Sequence, residues 1–173
     1  MINRPARAVS VWIKNANPEK TTSIEIMEYA LSILFNTLSI VVITLIMGYI
    51  FGKLYETIIV LISFAWLRIF SGGFHIRSSI GCILVSVFIC TLLPHLPEFS
   101  VSIVTLTNVT SIILLLLFAP NIDQETKLKD VYHPVYKCLA VGLVSINFIY
   151  MSSLLAITFF VQCLTIIPLK REG

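Results

Sequence analysis

Charge is what this sequence has least of. Asp, Glu, Lys and Arg make up 12% of its 173 residues, about half of the ~25% usual in a soluble domain. That excludes a soluble globular enzyme, and with it a disordered chain and a coiled coil. The formal net charge is only +3 and is scattered along the chain, so nucleic acid is not expected as a partner. Paired cysteines are missing too. Cys82, Cys90, Cys138 and Cys163 form no CxxC and lie inside or beside apolar runs. Neither a disulfide framework nor a zinc site is expected from them, and a thiol in such a run is ordinarily a small apolar filler. There is no internal repeat or low-complexity tract. A cleavable leader is not expected either, because the first sustained apolar run starts near Ala30 and is too long for the h-region of a signal peptide.

What the sequence has in abundance is apolar surface, with 57% hydrophobic residues. The expectation is one integral-membrane domain over residues 1–173, an all-α bundle of about six hydrophobic helices. Residues 1–23 carry Arg4, Arg7, Lys14 and Lys20 against Glu19, with Val11 and Trp12 among them. They read as a basic segment lying on the membrane surface. Helical spacing begins at Ile24, with Glu25 and Glu28 leading, and the spans follow at about Ala30–Phe51, Thr57–Phe70, Ile80–Leu93 and Val101–Phe118. Residues 119–137 form a long polar loop. The last apolar stretch, Cys138 to Pro168, would make a single helix of about 45 Å against a hydrocarbon core of ~30 Å. Two short helices joined near Met151-Ser152-Ser153 fit better, each short for a full span and compatible with re-entrant insertion. With six segments and both termini in the cytoplasm, all of the 12 Lys and Arg except Lys53 fall on the inner side, as the positive-inside rule requires. Five segments would strand Lys170 and Arg171 outside. Within the spans, Asn36 and Asn147 read as interhelical glue. Trp66, Tyr132 and Tyr136 read as interfacial belt residues.

One stretch differs from the rest. From Arg68 through Ser71-Gly72-Gly73-Phe74-His75 and Arg77 to Cys82, it sets two charges, an imidazole and three glycines between two apolar runs. Arg68 sits at the end of a span, where a charge must be paired, hydrated or snorkelling. Gly72-Gly73 lets the backbone turn tightly. A cysteine and a histidine together can form a nucleophile and its base. In an unbroken helix their seven-residue separation would leave the two side chains about 10.5 Å apart, so a direct hydrogen bond needs the chain to fold back between them. His95, beside two prolines, reads as solvated, and His133 is a second, weaker candidate for a base.

The residues Glu28-Tyr29-Ala30, Gly48, Leu67-Arg68, Ser71-Gly72-Gly73-Phe74-His75 and Cys82 together resemble the accessory gene regulator B family, over about Ile24 to Pro120. The remaining chain agrees with it in hydropathy. The resemblance implies a cysteine endopeptidase of the bacterial cell membrane, acting in peptide quorum sensing. Such an enzyme removes the C-terminal tail of a short pro-peptide and joins the new C-terminus to an internal Cys or Ser, giving a thiolactone or lactone. Carried onto this chain, Cys82 is the nucleophile and His75 its base, with Arg68 and Gly73 in supporting roles. Exchange of one thioester for another is nearly isoenergetic, so no cofactor, metal or ATP is expected. Backbone N–H groups around Gly81-Cys82 are the candidate oxyanion donors. The resemblance also suggests a homodimer. The loop over residues 119–137 balances three lysines with three acids, and the basic N-terminal segment is an alternative docking surface for an acidic tail. The competing reading is a non-catalytic permease or assembly factor for peptide export. Hydropathy suits both readings, and only the His75/Cys82 segment separates them.

Overall fold

The computed structural model describes residues 3–73, 79–121 and 133–168. Among these there are seven α-helices and no strand beyond a single two-residue bridge. They are α1 (Asn3–Ala16), α2 (Ile24–Ile50), α3 (Leu54–Ser71), α4 (Ser79–Leu92), α5 (Val101–Phe118), α6 (His133–Tyr150) and α7 (Ser153–Leu164). The six apolar helices expected from hydropathy are α2 to α7. The basic positions Arg77, Lys127, Lys129, Lys170 and Arg171, together with Tyr132 and His75, lie outside the described residues.

Local chemistry sets the boundaries. Ser23 caps α2 by accepting the Ile26 N–H, which satisfies one of the free donors of a first turn. Glu25 in that turn suits the helix dipole. α2 ends at Ile50, and Gly52, just past its cap residue Phe51, takes φ +66°. A proline at 120 stops α5 and holds Ala119 extended at ψ 151°. The last apolar stretch does break in two. Met151 takes φ +48°, and Ser152 caps α7 through the Leu155 N–H.

Three helices, α2, α3 and α5, are long and apolar enough to cross a membrane by length and composition. α6 is as long as α3 but carries Lys137 and Asn147. α7, with 12 residues, is only about 18 Å long, yet it is central to the bundle. Ala156, Thr158, Phe159, Gln162 and Cys163 are all buried, wedged between α3 and α5. A short helix with polar ends is tolerated at membrane depth when protein surrounds it. One core joins α3, α5, α6 and α7 through Leu67, Leu115, Val144, Phe159 and Ile166. A second forms around Val60, Cys90 and Leu93. Outward-facing apolar residues such as Leu106 and Leu117, each 67% exposed, are stable where the surrounding solvent is lipid.

Lipid gives little hydrophobic drive for helix association, so small residues and buried polar pairs do that work. At Gly48 on α2 an added Cβ would lie 2.9 Å from the Thr57 side chain of α3. Asn147 donates to Asn108 Oδ1 at 3.1 Å and to the Ser152 carbonyl at 3.0 Å, and accepts the Ser152 N–H at 3.0 Å. It therefore locks α5, α6 and the α6–α7 turn together, as expected of glue. Asn147→Leu would orphan three groups at once. We expect it to cost about 1–2 kcal/mol, read as a lower midpoint of thermal unfolding in detergent.

The bundle has two distinct ends. At one, Lys53 pairs with Glu56 at 3.1 Å, His95 is exposed and edge-on to Phe51, and Ser153 binds the Phe99 N–H. At the other lie Gly72, Asn121 and Ile166, with Lys137 donating to the Leu116 carbonyl. This second end is the one that the positive-inside rule, read on the sequence, expects in the cytoplasm. α1 packs back against α2 with Ala6 and Ser10 fully buried. Lys14 closes the connecting turn by donating to the Pro18 and Thr21 carbonyls, each at 2.9 Å.

Candidate active site

α3 ends where its backbone must leave the right-handed region. The Gly72 N–H donates to the Arg68 carbonyl at 2.9 Å, closing the last turn. Gly72 and Gly73 then adopt φ +71° and +141°, a region that residues with a Cβ rarely enter. Here the chain pairs with the segment leaving α5. The Gly73 N–H donates to the Asn121 carbonyl, and the Asn121 N–H to the Ser71 carbonyl, both at 3.0 Å. The fit is tight: an added Cβ at Gly72 would sit 2.2 Å from the Asn121 oxygen, and one at Gly73 would sit 2.7 Å from Thr165 Oγ1.

α7 supplies a second fastening. Gln162 is fully buried, and its Nε2 donates to Ser71 Oγ at 3.2 Å and to the Gly72 carbonyl at 2.8 Å. Asn121 Nδ2 reaches the Ile166 carbonyl at 2.9 Å. Two distant segments thus grip the backbone just before His75 in the chain. Sequence reasoning missed Gln162, Asn121 and Thr165. A lone amide in a 12-residue apolar helix was the available signal, since an intramembrane polar side chain needs a partner. Nothing in the sequence said that its partner was 90 residues away.

Cys82 is the fourth residue of α4 and is 8% exposed. Its first-turn position lies at the positive end of the helix dipole. Asn36 reaches it from α2, with Nδ2 3.7 Å from Sγ. The amide read as glue from sequence therefore meets the candidate nucleophile. Arg68 is half-buried in the last turn of α3 and engaged in an interaction of its own. His75 lies outside the described residues, as does its relation to Cys82. Cys90 and Cys163 are deeper, at 1% and 0% exposure, and Cys163 donates weakly to the Ser111 carbonyl at 3.6 Å. Cys138 is exposed along α6. Among the described residues, no three His, Cys, Asp or Glu side chains gather as metal ligands would.

Comparison with known proteins adds the family. No solved structure matches the chain. A putative AgrB-like protein of Halalkalibacterium halodurans is 30% identical over 97 residues, which is 56% of this chain and 49% of that protein. The match thus spans about half the length of that relative. The family model described as Accessory gene regulator B matches residues 6–169. That is wider than the motif alone suggests: it takes in α1, α6 and α7 as well as the Arg68–Cys82 segment. The chain therefore belongs to the AgrB family of integral membrane proteins.

Proposed function

We propose that this protein is a membrane-embedded cysteine endopeptidase that trims a quorum-sensing pro-peptide and cyclises it. Cys82 Sγ attacks the carbonyl carbon of the scissile peptide bond, and His75 takes the thiol proton. The C–S bond forms, the C–N bond breaks, and the proton passes to the leaving amine of the tail. An internal Cys or Ser of the peptide then attacks the acyl-enzyme. Its proton goes by way of His75 to Cys82, which leaves as the free thiol. Holding the attacking group on the same chain as the acyl carbon gives it a large effective concentration, and a pocket that limits water disfavours hydrolysis.

The observation that carries this reading is the family match, which covers the whole Arg68–Cys82 string. The local geometry supports it. The sulfur is largely shielded at a helix start, beside an amide donor. The glycine pair preceding His75 is fastened by two other segments. Arg68 and Gly73 act in support, Gly73 by permitting the backbone turn. For the acidic tail, the N-terminal segment offers exposed Arg7 and Lys20, while Lys14 is held by its own turn.

The test is direct. Purified protein in lipid nanodiscs is mixed with the synthetic pro-peptide encoded beside its gene, and the products are read by mass spectrometry. We expect a free C-terminal tail and an N-terminal fragment lighter by one water than its linear acid. A pro-peptide that stays intact would favour the non-catalytic export reading.

A further inference from the structure

Asn36 reaches across from α2 to the candidate nucleophile. Asn147 satisfies both ends of its side chain, on α5 and on the α6–α7 turn, whereas Asn108 Nδ2 and Gln162 Oε1 are buried without a hydrogen-bond partner among the described residues. Asn36 instead turns Nδ2 toward Cys82 Sγ at 3.7 Å, within reach for a donor to the large sulfur atom. Its Oδ1 is buried and has no hydrogen-bond partner among the described residues. An unpaired atom is thus shared by three of the amides, and the feature particular to Asn36 is a donor aimed at the candidate nucleophile.

Its position on α2 adds to this. Glu28, Ser32 and Asn36 follow one another at four-residue spacing and share one face of the helix. All three are partly buried. Asn36 is the thirteenth residue of α2, whereas Cys82 is the fourth of α4. The start of α2 therefore extends roughly 18 Å before Asn36, and a polar edge leads along it to the sulfur. A peptide approaching from the cytoplasmic end would meet this edge before it meets Cys82.

We infer that Asn36 positions the Cys82 sulfur for the reaction, its Nδ2–H holding the sulfur and stabilising the thiolate. A donor lowers the cost of charge on sulfur.

This inference rests on Cys82 being the nucleophile, and its test separates the two claims. The full chain is placed in nanodiscs with Cys90, Cys138 and Cys163 replaced by alanine. Iodoacetamide alkylation then reads the Cys82 sulfur without any peptide. Asn36→Leu and Asn36→Asp should each slow alkylation at least about tenfold, whereas Asn36→Gln, which keeps an N–H donor, should recover most of the rate. If Asn36→Leu fails to fold, the Asp/Gln pair decides alone. With the pro-peptide as substrate, Asn36→Asp and Asn36→Leu should both lower kcat and leave KM near its original value. Alkylation at the original rate in folded Asn36→Asp would overturn the inference and leave the nucleophile standing. Peptide cutting that persists in Cys82→Ala would remove the nucleophile itself.

Discussion

A Cys82→Ala protein should fold and leave its pro-peptide uncut, with tail release down by at least about 10⁴-fold, because loss of a covalent nucleophile removes the pathway and not merely a contact. Alanine is the best helix former, and Cys82 sits in the first turn of α4, so the helix itself should persist. The matched controls are Cys90→Ala and Cys163→Ala. Both thiols are more deeply buried than Cys82 and belong to the two apolar cores. Emptying either site should cost about 1 kcal/mol of stability and change tail release only a few-fold. The comparison, run by mass spectrometry with thermal unfolding beside it, separates a chemical role from a packing role. Equal losses in all three variants would mean that the sulfur at position 82 is filler.

Gly72→Val should produce the second large loss, at least about 100-fold in tail release, with the bundle intact. A Cβ there would sit 2.2 Å from the Asn121 oxygen, so the bridge that joins the end of α3 to the segment after α5 must open. The backbone conformation, φ +71° and ψ −148°, is also one that essentially only glycine adopts. The second apolar core, around Val60, Cys90 and Leu93, contains none of the bridge residues, and the first only adjoins the bridge, at Ala119 and Ile166. Gly52→Ala is the control. Gly52 has a similar φ of +66°, but an added Cβ would meet nothing within 4 Å, so the change should cost about 1–2 kcal/mol of backbone strain and spare the activity. Circular dichroism and unfolding midpoints establish that both variants are folded. Full activity in folded Gly72→Val would show that the fastening does not position the segment that follows.

Much of the architecture was legible because membrane helices announce themselves through long apolar runs and punctuation. α5 begins and ends at the residues its hydropathy suggests, since Ser100 and Ala119-Pro120 bound the run on both sides. The break near Met151 was forced by length alone: about 30 apolar residues exceed what one helix can hide in ~30 Å of hydrocarbon. The start of α2 was less plain in hydropathy, which begins only at Ala30, although helical spacing and the acidic residues already pointed to Ile24. The glycine-rich segment was legible because its unusual residues are contiguous. Its supports were not. Gln162, Asn121 and Thr165 come from chain regions 48 to 93 residues away from Gly72 and Gly73, and periodicity shows which face a residue occupies but not what it meets. Asn36 carries the same lesson. An amide in a span announces a polar partner, and here that partner is a thiol on a helix 46 residues further along the chain.

The account turns on a covalent intermediate at Cys82, which can be caught directly. A synthetic pro-peptide whose ring-forming side chain is replaced by alanine can acylate the enzyme but cannot close the ring. Mixed with protein in nanodiscs and quenched in acid, it should yield a protein heavier by the N-terminal fragment less one water. Hydroxylamine should release that adduct, and it should map to Cys82. An adduct on any other residue, or tail release from Cys82→Ala at the original rate, would contradict the account.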